Sequence, residues 1–377
     1  MPSLQRGMLG LFIVGGLLWS QAFAQQEIET LLDRLLASPT IKVESGFTAT
    51  LLVPPGQLYD PLWMLPQDGA VWLNDDGGEE GEKGSRIVSI GQDGTLSAIV
   101  GLGRLLPTTG FDIAPEGFGD FGGHIFALAQ ARVSVEGATA NHVIQRVDPK
   151  TDEVATVVCT LPGTGEVNQG ISGFGVDARF GPADSPFANK FFAVTAYNNT
   201  IYQMTSDGTC APFVTFNGKL KGSPTGLEFA ADGQTMLVTL TRGSLLEPSS
   251  ERTGVIVRVA PDGTVDENLL VEGLSQPMGL ARAPKSFGPY AGQWFVADVG
   301  NIQVPVPMTQ ALEADGKLYR VTPEGELQLV ASGFFNPAGV RFIGDALWVT
   351  DINGDFIAGK RELPDGFIVK IQSSGGQ

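Results

Sequence analysis

The chain has 377 residues, of which 42% are hydrophobic, and it contains 50 glycines and 24 prolines. This composition is sufficient for a large core and indicates many turns rather than long helices. The formal net charge of −17 at pH 7 argues against nucleic acid or anionic lipid as a partner, because both would be repelled.

The first 24 residues have the features of a secretory signal peptide. Arg6 supplies the positive charge, the apolar stretch from Met8 is too short to span a bilayer, and Ala22-Phe23-Ala24 forms a cleavage site. Cleavage there would remove one arginine and no acidic residue, so the product would be more acidic still. We therefore expect a periplasmic or extracellular protein with no membrane span.

Residues 25–45 are predicted to form a short helix and a linker. The segment EIETLLDRLLAS has apolar residues at helical spacing, namely Ile28, Leu31, Leu32, Leu35 and Leu36. We expect this helix to pack on the domain that follows. A role at a membrane surface is the alternative, but its polar face carries more acid than base.

From residue 46 onward, one sequence unit recurs six times. Each unit has an opening rich in proline or glycine, a second apolar strand, a third strand of the form I-x-R-V and, in most copies, a short polar turn before a fourth strand. The openings start at residues 60, 108, 171, 223, 276 and 336 and read DPLWML, TTGFDI, ISGFGV, SPTGLEF, QPMGLA and NPAGVRF. Short polar turns join antiparallel neighbours, so each unit is predicted to be a small antiparallel sheet.

The last unit lacks a fourth strand, because the chain ends at IQSSGGQ. The stretch GFTATLLV at 46–53 precedes the first complete unit and alternates like a strand. Donation of this strand to the last unit would close the ring without an open edge. The predicted fold is therefore all-β, a six-bladed β-propeller over 46–377 that is closed by an N-terminal strand.

Propeller geometry sorts the connections onto two faces. The loops after each second strand share one face with the links between blades, here named the loop face. The hairpins between first and second strands open on the opposite, hairpin face. Five loops after second strands are predicted to be long: 75–84, 129–141, 241–253, 299–315 and 352–365. Long segments on a rigid ring commonly carry function, so the central mouth on the loop face is the predicted site for a small-molecule substrate.

Three aspartates end second strands at equivalent positions on this face: Asp75, Asp298 and Asp351. Either each carboxylate folds back onto backbone N–H groups of its own turn, or the three converge on a cation. In the second case an all-oxygen shell, which favours Ca²⁺, could be completed by Asp60, Asn199, Asn301 and Asn336. Asp298 or Asp351 would then activate water as the catalytic base.

Other chemistry has few candidates. His142, at the end of the long second-blade loop, could reach the mouth as a general base, and Arg132 in the same loop could bind an anionic group. Cys159 and Cys210 match no zinc or redox motif and could be bridged in an oxidising compartment. The Phe- and Gly-rich insertions in three of the first hairpins are interpreted as packing.

The units SPTGLEFAADGQTMLVT and NPAGVRFIGDALWVTDI resemble the gluconolactonase and senescence-marker-protein family and its relatives, the strictosidine-synthase-like and NHL propellers. The resemblance covers most of the chain at the level of the repeat. It implies one divalent cation at the mouth, held by a Glu, two Asn and an Asp that also serves as acid/base. Asp60 would stand for the Glu, whereas Thr225 replaces an Asn and Leu240 replaces the Asp. The acid/base role would then have moved to Asp298 or Asp351, or the protein is not a lactonase.

Three function classes stay open. The aspartates favour a hydrolase that acts on a small lactone or ester through Ca²⁺. The stretch GFTATLLVPPG together with LWMLPQDGAVWLND also resembles the soluble quinoprotein sugar dehydrogenases, which implies pyrroloquinoline quinone near His142 and Arg132. A propeller without catalysis could instead bind a ligand or a protein partner in the cell envelope.

Overall fold

The structure is a computed structural model that describes residues 33, 36–67, 69–76, 85–135, 138–161, 175–196, 198–242, 253–300, 316–352 and 363–375, without the side chains of 130–141 and 175. The chain divides into two units, Met1–Ser38 and Pro39–Gln377. In the first, Asp33 and Leu36 are helical and exposed, while the predicted signal peptide and most of the predicted helix lie outside the described residues. Within the described ranges, no helix has the length and apolarity needed to cross a bilayer.

The described strands of the second unit form six antiparallel sheets, numbered here as blades in chain order. Blades 1 and 2 contain β3 (Asp60–Gln67), β4 (Ala70–Asp76), β5 (Arg86–Ile90) and β6 (Leu96–Val100), then β7 (Thr108–Ile113), β8 (Ile125–Val135), β9 (Ala138–Val147) and β10 (Thr156–Thr160). Blades 3 and 4 contain β11 (Gly175–Phe180), β12 (Lys190–Thr195), β13 (Thr200–Thr205) and β14 (Cys210–Thr215), then β15 (Gly222–Phe229), β16 (Met236–Arg242), β17 (Thr253–Val259) and β18 (Val265–Leu274).

Blades 5 and 6 each include a strand from the start of the domain. Blade 5 contains β19 (Pro277–Arg282), β20 (Trp294–Asp298), β21 (Gly316–Val321), β22 (Leu327–Phe334) and β1 (Lys42–Val43). Blade 6 contains β23 (Pro337–Ile343), β24 (Ala346–Asp351), β25 (Gly366–Ser373) and β2 (Phe47–Leu58). Short 3₁₀ turns are formed by Gly218–Leu220 and Lys285–Tyr290.

The six inner strands surround a central pore. Each contacts the inner strand of the next blade, and β23 of blade 6 contacts β3 of blade 1. Strand β2 pairs with β25, with Phe47 opposite Ser373. Val53, Met64 and Trp348 belong to one buried cluster that blades 6 and 1 share. The predicted all-β, six-bladed propeller is confirmed.

Buried polar side chains on second strands join neighbouring blades. Asn74 accepts the N–H of Trp63 at 2.9 Å and donates to the carbonyl of Thr108 in blade 2 at 3.0 Å. Thr350 donates to the carbonyl of Leu62 at 2.7 Å and so links blade 6 to blade 1. These bonds satisfy backbone groups that the bulged inner strands leave unpaired.

The Phe- and Gly-rich insertions do serve packing. Each supplies one phenylalanine that is almost fully buried and meets a strand phenylalanine edge to face. The ring pairs, with their centroid distances, are Phe118–Phe126 (5.4 Å), Phe187–Phe192 (5.8 Å) and Phe287–Phe295 (5.4 Å).

Cys159 and Cys210 form a disulfide, an outcome that the sequence left open. The bond joins the outer strand of blade 2 to the outer strand of blade 3, with Cα atoms 6.3 Å apart. It therefore fastens two sheets that are otherwise held by packing and a few polar contacts.

One detail of the predicted repeat is wrong. The sequence analysis predicts a loop over 129–141, but β8 and β9 extend into a long hairpin in which Gln130 pairs with His142. The alternation of apolar and polar residues in ARVSV and ATANHV indicates this hairpin, since a period-two pattern is typical of a strand. In blade 3 the opening predicted at 171 lies outside the described residues, and the described part of the inner strand begins at Gly175.

Candidate functional site

Asp298 and Asp351 hold the chain where it enters their own blades. The two oxygens of Asp298 accept the N–H groups of residues 275 and 276, which precede β19, at 2.8 and 2.7 Å. The two oxygens of Asp351 accept the N–H groups of residues 335 and 336, which precede β23, at 2.8 and 2.9 Å. Both carboxylates are buried, and each fixes the turn that starts its blade.

Asp75 plays the same part in blade 1 and has a cationic partner. Its Oδ1 accepts the N–H of Tyr59 at 2.9 Å, and its Oδ2 lies 2.7 Å from a guanidinium nitrogen of Arg86. Burial raises the pKa of Asp75 to about 6, although Arg86 opposes that rise. Near neutral pH the carboxylate is therefore mostly ionised and already compensated.

The contacts of these three aspartates favour the first of the two alternatives, in which each carboxylate folds back onto backbone N–H groups of its own turn. Within the described ranges, no three His, Cys, Asp or Glu side chains lie close enough together to hold a metal ion. The hydrogen bonds that turn Asp75, Asp298 and Asp351 back to the backbone each lie within the aspartate's own blade. Their catalytic and metal-binding roles stay predictions.

The other predicted ligands lie in different settings. Asp60 begins β3, opposite Asp76. Asn199 lies in the turn between β12 and β13 with a φ of 53°, a left-handed conformation that Asn tolerates better than most residues. Asn336 directly precedes β23 and is 2% exposed, whereas Asn301 lies outside the described residues.

Four inner strands have a polar side chain at or next to their first residue on the loop face. Their equivalence follows from pairing: each directly precedes the proline that stands opposite Asp75, Leu240, Asp298 or Asp351. The four residues are Asp60, Ser223, Gln276 and Asn336. Because the blades are arranged around the pore axis, these positions ring the loop-face mouth. In this ring the Nδ2 of Asn336 is buried and has no hydrogen-bond partner among the residues that the structure describes.

His142, one of the two residues predicted for quinone binding, is less accessible than expected. The imidazole of His142 has no exposed surface, and its backbone carbonyl accepts the N–H of Leu161 at 3.0 Å. Arg132 lies within β8, and its side chain is outside the described part. Their roles toward pyrroloquinoline quinone stay predictions.

Trp63 crosses the pore, which the sequence analysis did not anticipate. It occupies the position on β3 that glycine holds on β7, β15, β19 and β23. Its indole Nε1 donates to the carbonyl of Val176 in blade 3, and the side chain is almost fully buried. The sequence could have indicated this unusual residue, because DPLWML has tryptophan at the position where NPAGVRF has glycine.

A charged network lies at the other end of the pore and was also missed. Arg179 of blade 3 pairs with Glu228 of blade 4 at 2.9 Å and with Asp177 at 3.2 Å. Arg341 of blade 6 pairs with the same oxygen of Glu228. Burial raises the pKa of Glu228, and Arg179 opposes the rise. The sequence feature that could have predicted this network is the presence of charged residues within otherwise apolar inner strands.

Asp112 of blade 2 lies beside this network and makes stability depend on pH. Burial raises its pKa to about 6 from 3.8, although the N–H groups of Phe180 and Ile113 donate to it. Between pH 4 and 6 the folded chain retains a proton that the unfolded chain releases. The free energy of unfolding therefore falls by up to about 3 kcal/mol as pH rises from 4 to 7.

Chemical denaturation at pH 4, 5, 6 and 7 measures this slope. Asp112→Asn is expected to flatten it by up to one proton. Asp93→Asn serves as the control, because hydrogen bonds from Thr95 lower the pKa of this exposed carboxyl and its contribution has the opposite sign. An unchanged slope in Asp112→Asn would contradict the assignment.

Leu240 stands in blade 4 where Asp351 stands in blade 6. It pairs with Pro224 just as Asp351 pairs with Pro337, and it is fully buried. The fourth blade therefore carries an apolar side chain at the position for which the resemblance implies an acid/base aspartate.

Comparison with known proteins supports the fold. No family model and no curated protein matches the chain. An oxidoreductase (glucose dehydrogenase) structure from Thermus thermophilus matches with a TM-score of 0.54 and 18% identity, covering 86% of this chain and 100% of that one. A gluconolactonase from Xanthomonas campestris matches with a TM-score of 0.52 and 13% identity, covering 89% and 95%. Another glucose dehydrogenase structure gives 0.54 and 15%, covering 87% and 100%.

At these identities the likeness concerns the fold alone. The neighbours include both kinds of enzyme that the sequence resembles, so the recognition of a six-bladed propeller of this type is confirmed.

Proposed function

We propose that this protein binds a small polar organic molecule at the loop-face mouth of its pore. The observation that carries the proposal is the buried Nδ2 of Asn336, which has no partner within the described part of the chain although it lies in the ring of polar residues. An unpaired buried amide costs about 1–3 kcal/mol, so a donor kept in this state is well suited to a ligand.

Binding, rather than hydrolysis, is what the described residues support best. The carboxylates of Asp298 and Asp351 are occupied by backbone N–H groups, and Leu240 replaces the family's acid/base. A gluconolactonase and glucose dehydrogenases share the fold, so sugar-derived lactones and sugars are the first ligands to test. A location outside the cytoplasm would agree with the disulfide.

Calcium-dependent hydrolysis of a lactone or ester is the second candidate. The observation in its favour is that Asp351 accepts the backbone N–H of Asn336, so a carboxylate lies at the mouth together with a side-chain amide whose Nδ2 is unpaired among the described residues. The described donors fit a cation poorly, since no three acidic groups converge. We therefore derive no step through the metal.

The variant Asn336→Ala distinguishes a role of this side chain in ligand binding from a role in the stability of the fold. We expect at least about a tenfold loss of affinity for glucono-1,5-lactone or glucose, since a hydrogen bond to ligand is removed. The free energy of unfolding should change by less than about 1 kcal/mol, because the amide makes no described protein bond through Nδ2. Titration calorimetry and chemical denaturation measure the two quantities.

Asn268→Ala, on the outer strand of blade 4, makes the same chemical change away from the mouth and should leave affinity intact. Absence of binding by the wild type at 10 mM of either compound, or equal binding by Asn336→Ala, would contradict the proposal. The same titration with calcium chloride tests the second candidate. It would be abandoned if millimolar calcium gives no uptake, or if uptake survives in Asp351→Asn.

A further inference from the structure

A second concave site lies on the hairpin face, at the opposite end of the pore. The cavity has a volume of about 420 Å³, within the range of small-molecule sites. Inner strands of blades 1, 4, 5 and 6 and the residues after them form its walls. The residues on which the argument depends are Leu65, Glu228, Phe229, Arg282, Arg341 and Phe342.

Trp63 separates this cavity from the loop-face mouth. Its indole spans the pore from blade 1 to blade 3, and the guanidinium of Arg179 lies 5.9 Å from the ring on the hairpin side. The cavity and the loop-face mouth are therefore separate candidate sites.

Both carboxylate oxygens of Glu228, the glutamate in the cavity, already accept hydrogen bonds. Oε1 of Glu228 accepts the N–H of Phe229 at 3.1 Å, and Oε2 accepts guanidinium groups of Arg179 and Arg341. Nε of Arg341 donates to the carbonyl of Met64 at 3.2 Å, which fixes the guanidinium plane. Its Nη2 makes no hydrogen bond to any described residue.

Arg282 adds a second cation. Its side chain is exposed, and among the described residues it donates only through Nε, to the carbonyl of Gly292 at 3.1 Å. The charged residues that line the cavity thus sum to +1, on a chain whose net charge is −17. The nearby carboxylates of Asp112 and Asp177 already accept backbone N–H groups.

We propose that this cavity binds a small monocarboxylate with an apolar body. The planar guanidinium groups of Arg282 and Arg341 match a carboxylate, which can accept two N–H groups at once. The apolar body would lie against Leu65, Phe229 and Phe342. Charge and shape together exclude cations and strongly hydrated multivalent anions, which could not use these apolar walls.

Titration calorimetry with sodium benzoate and with benzamide tests the proposal on the full chain. Both compounds have the same apolar ring, but only benzoate carries the charge. We expect benzoate to bind at least about tenfold more tightly than benzamide, since hydrogen bonds between charged partners are the stronger ones. Binding should weaken as salt is raised.

Two variants locate the site without disturbing the buried ion pairs. Arg282→Gln should weaken benzoate binding about fivefold to tenfold. Ala231→Trp, at the exposed rim of the cavity, should block binding by filling it. Arg258→Gln, a change of the same charge on blade 4 where Arg258 pairs with Asp266, is the matched control and should have no effect.

The proposal is overturned if benzoate shows no binding at 10 mM, if benzamide binds equally well, or if Arg282→Gln and Ala231→Trp both bind like the wild type. Benzoate binding that persists in Asn336→Ala would show that the two mouths are independent, whereas its loss there would also count against a separate site.

Discussion

Replacing Cys159 and Cys210 together with serine is expected to lower the free energy of unfolding by about 4 kcal/mol. The disulfide closes a segment with a sequence separation of 51 residues and joins the outer strands of two blades. Without it, the unfolded chain gains the freedom that the closed loop removes, while blades 2 and 3 keep only their packing and polar contacts. Equilibrium denaturation in guanidinium chloride measures the loss.

The reducing agent supplies the internal control for this experiment. Wild-type protein unfolded in the presence of dithiothreitol should approach the stability of the double variant, and the double variant should not respond to the reagent. A double variant within 1 kcal/mol of the wild type would show that the bridge contributes little to stability.

Substitution of Gly339 by alanine is expected to cost at least about 3 kcal/mol. Gly339 lies at a close approach between the inner strands of blades 6 and 1. A β-carbon there would overlap the carbonyl oxygen of Leu62 and lie 2.9 Å from Oγ1 of Thr350. Those atoms are hydrogen-bonded to each other, so neither can move without breaking the junction between the blades.

Gly101→Ala is the matched control for this junction. A β-carbon at Gly101 would meet nothing within 4 Å, so its stability should change by less than about 1 kcal/mol. If Gly339→Ala unfolds at the same denaturant concentration as Gly101→Ala, then the junction tolerates separation and the close approach has no energetic role.

Much of the architecture could be predicted from the sequence because its signals are local. Period-two alternation, D-G turns and the repeated opening specify each sheet independently of its neighbours. Even the hairpin of β8 and β9, which the sequence analysis predicted as a loop, has alternating apolar and polar residues. The positions of Asp75, Asp298 and Asp351 at the ends of second strands followed from the same repeat.

The direction of those carboxylates could not be predicted in this way. Equivalent positions say which side chains face one mouth, but the torsions that turn Asp298 and Asp351 back to their own backbone depend on the link that enters the blade. The same residues at the same positions are compatible with a turn-forming aspartate and with a metal ligand. Only the tertiary structure distinguishes a turn-forming aspartate from a ligand.

The sequence by itself determined six sheets and the face on which each loop lies, since short-range turn chemistry is sufficient for both. The tertiary structure decided what fills the pore. Trp63 reaches Val176, and Arg341 reaches a glutamate 113 residues away. Such contacts depend on how the six blades close around one axis, and therefore on distances that no single repeat encodes.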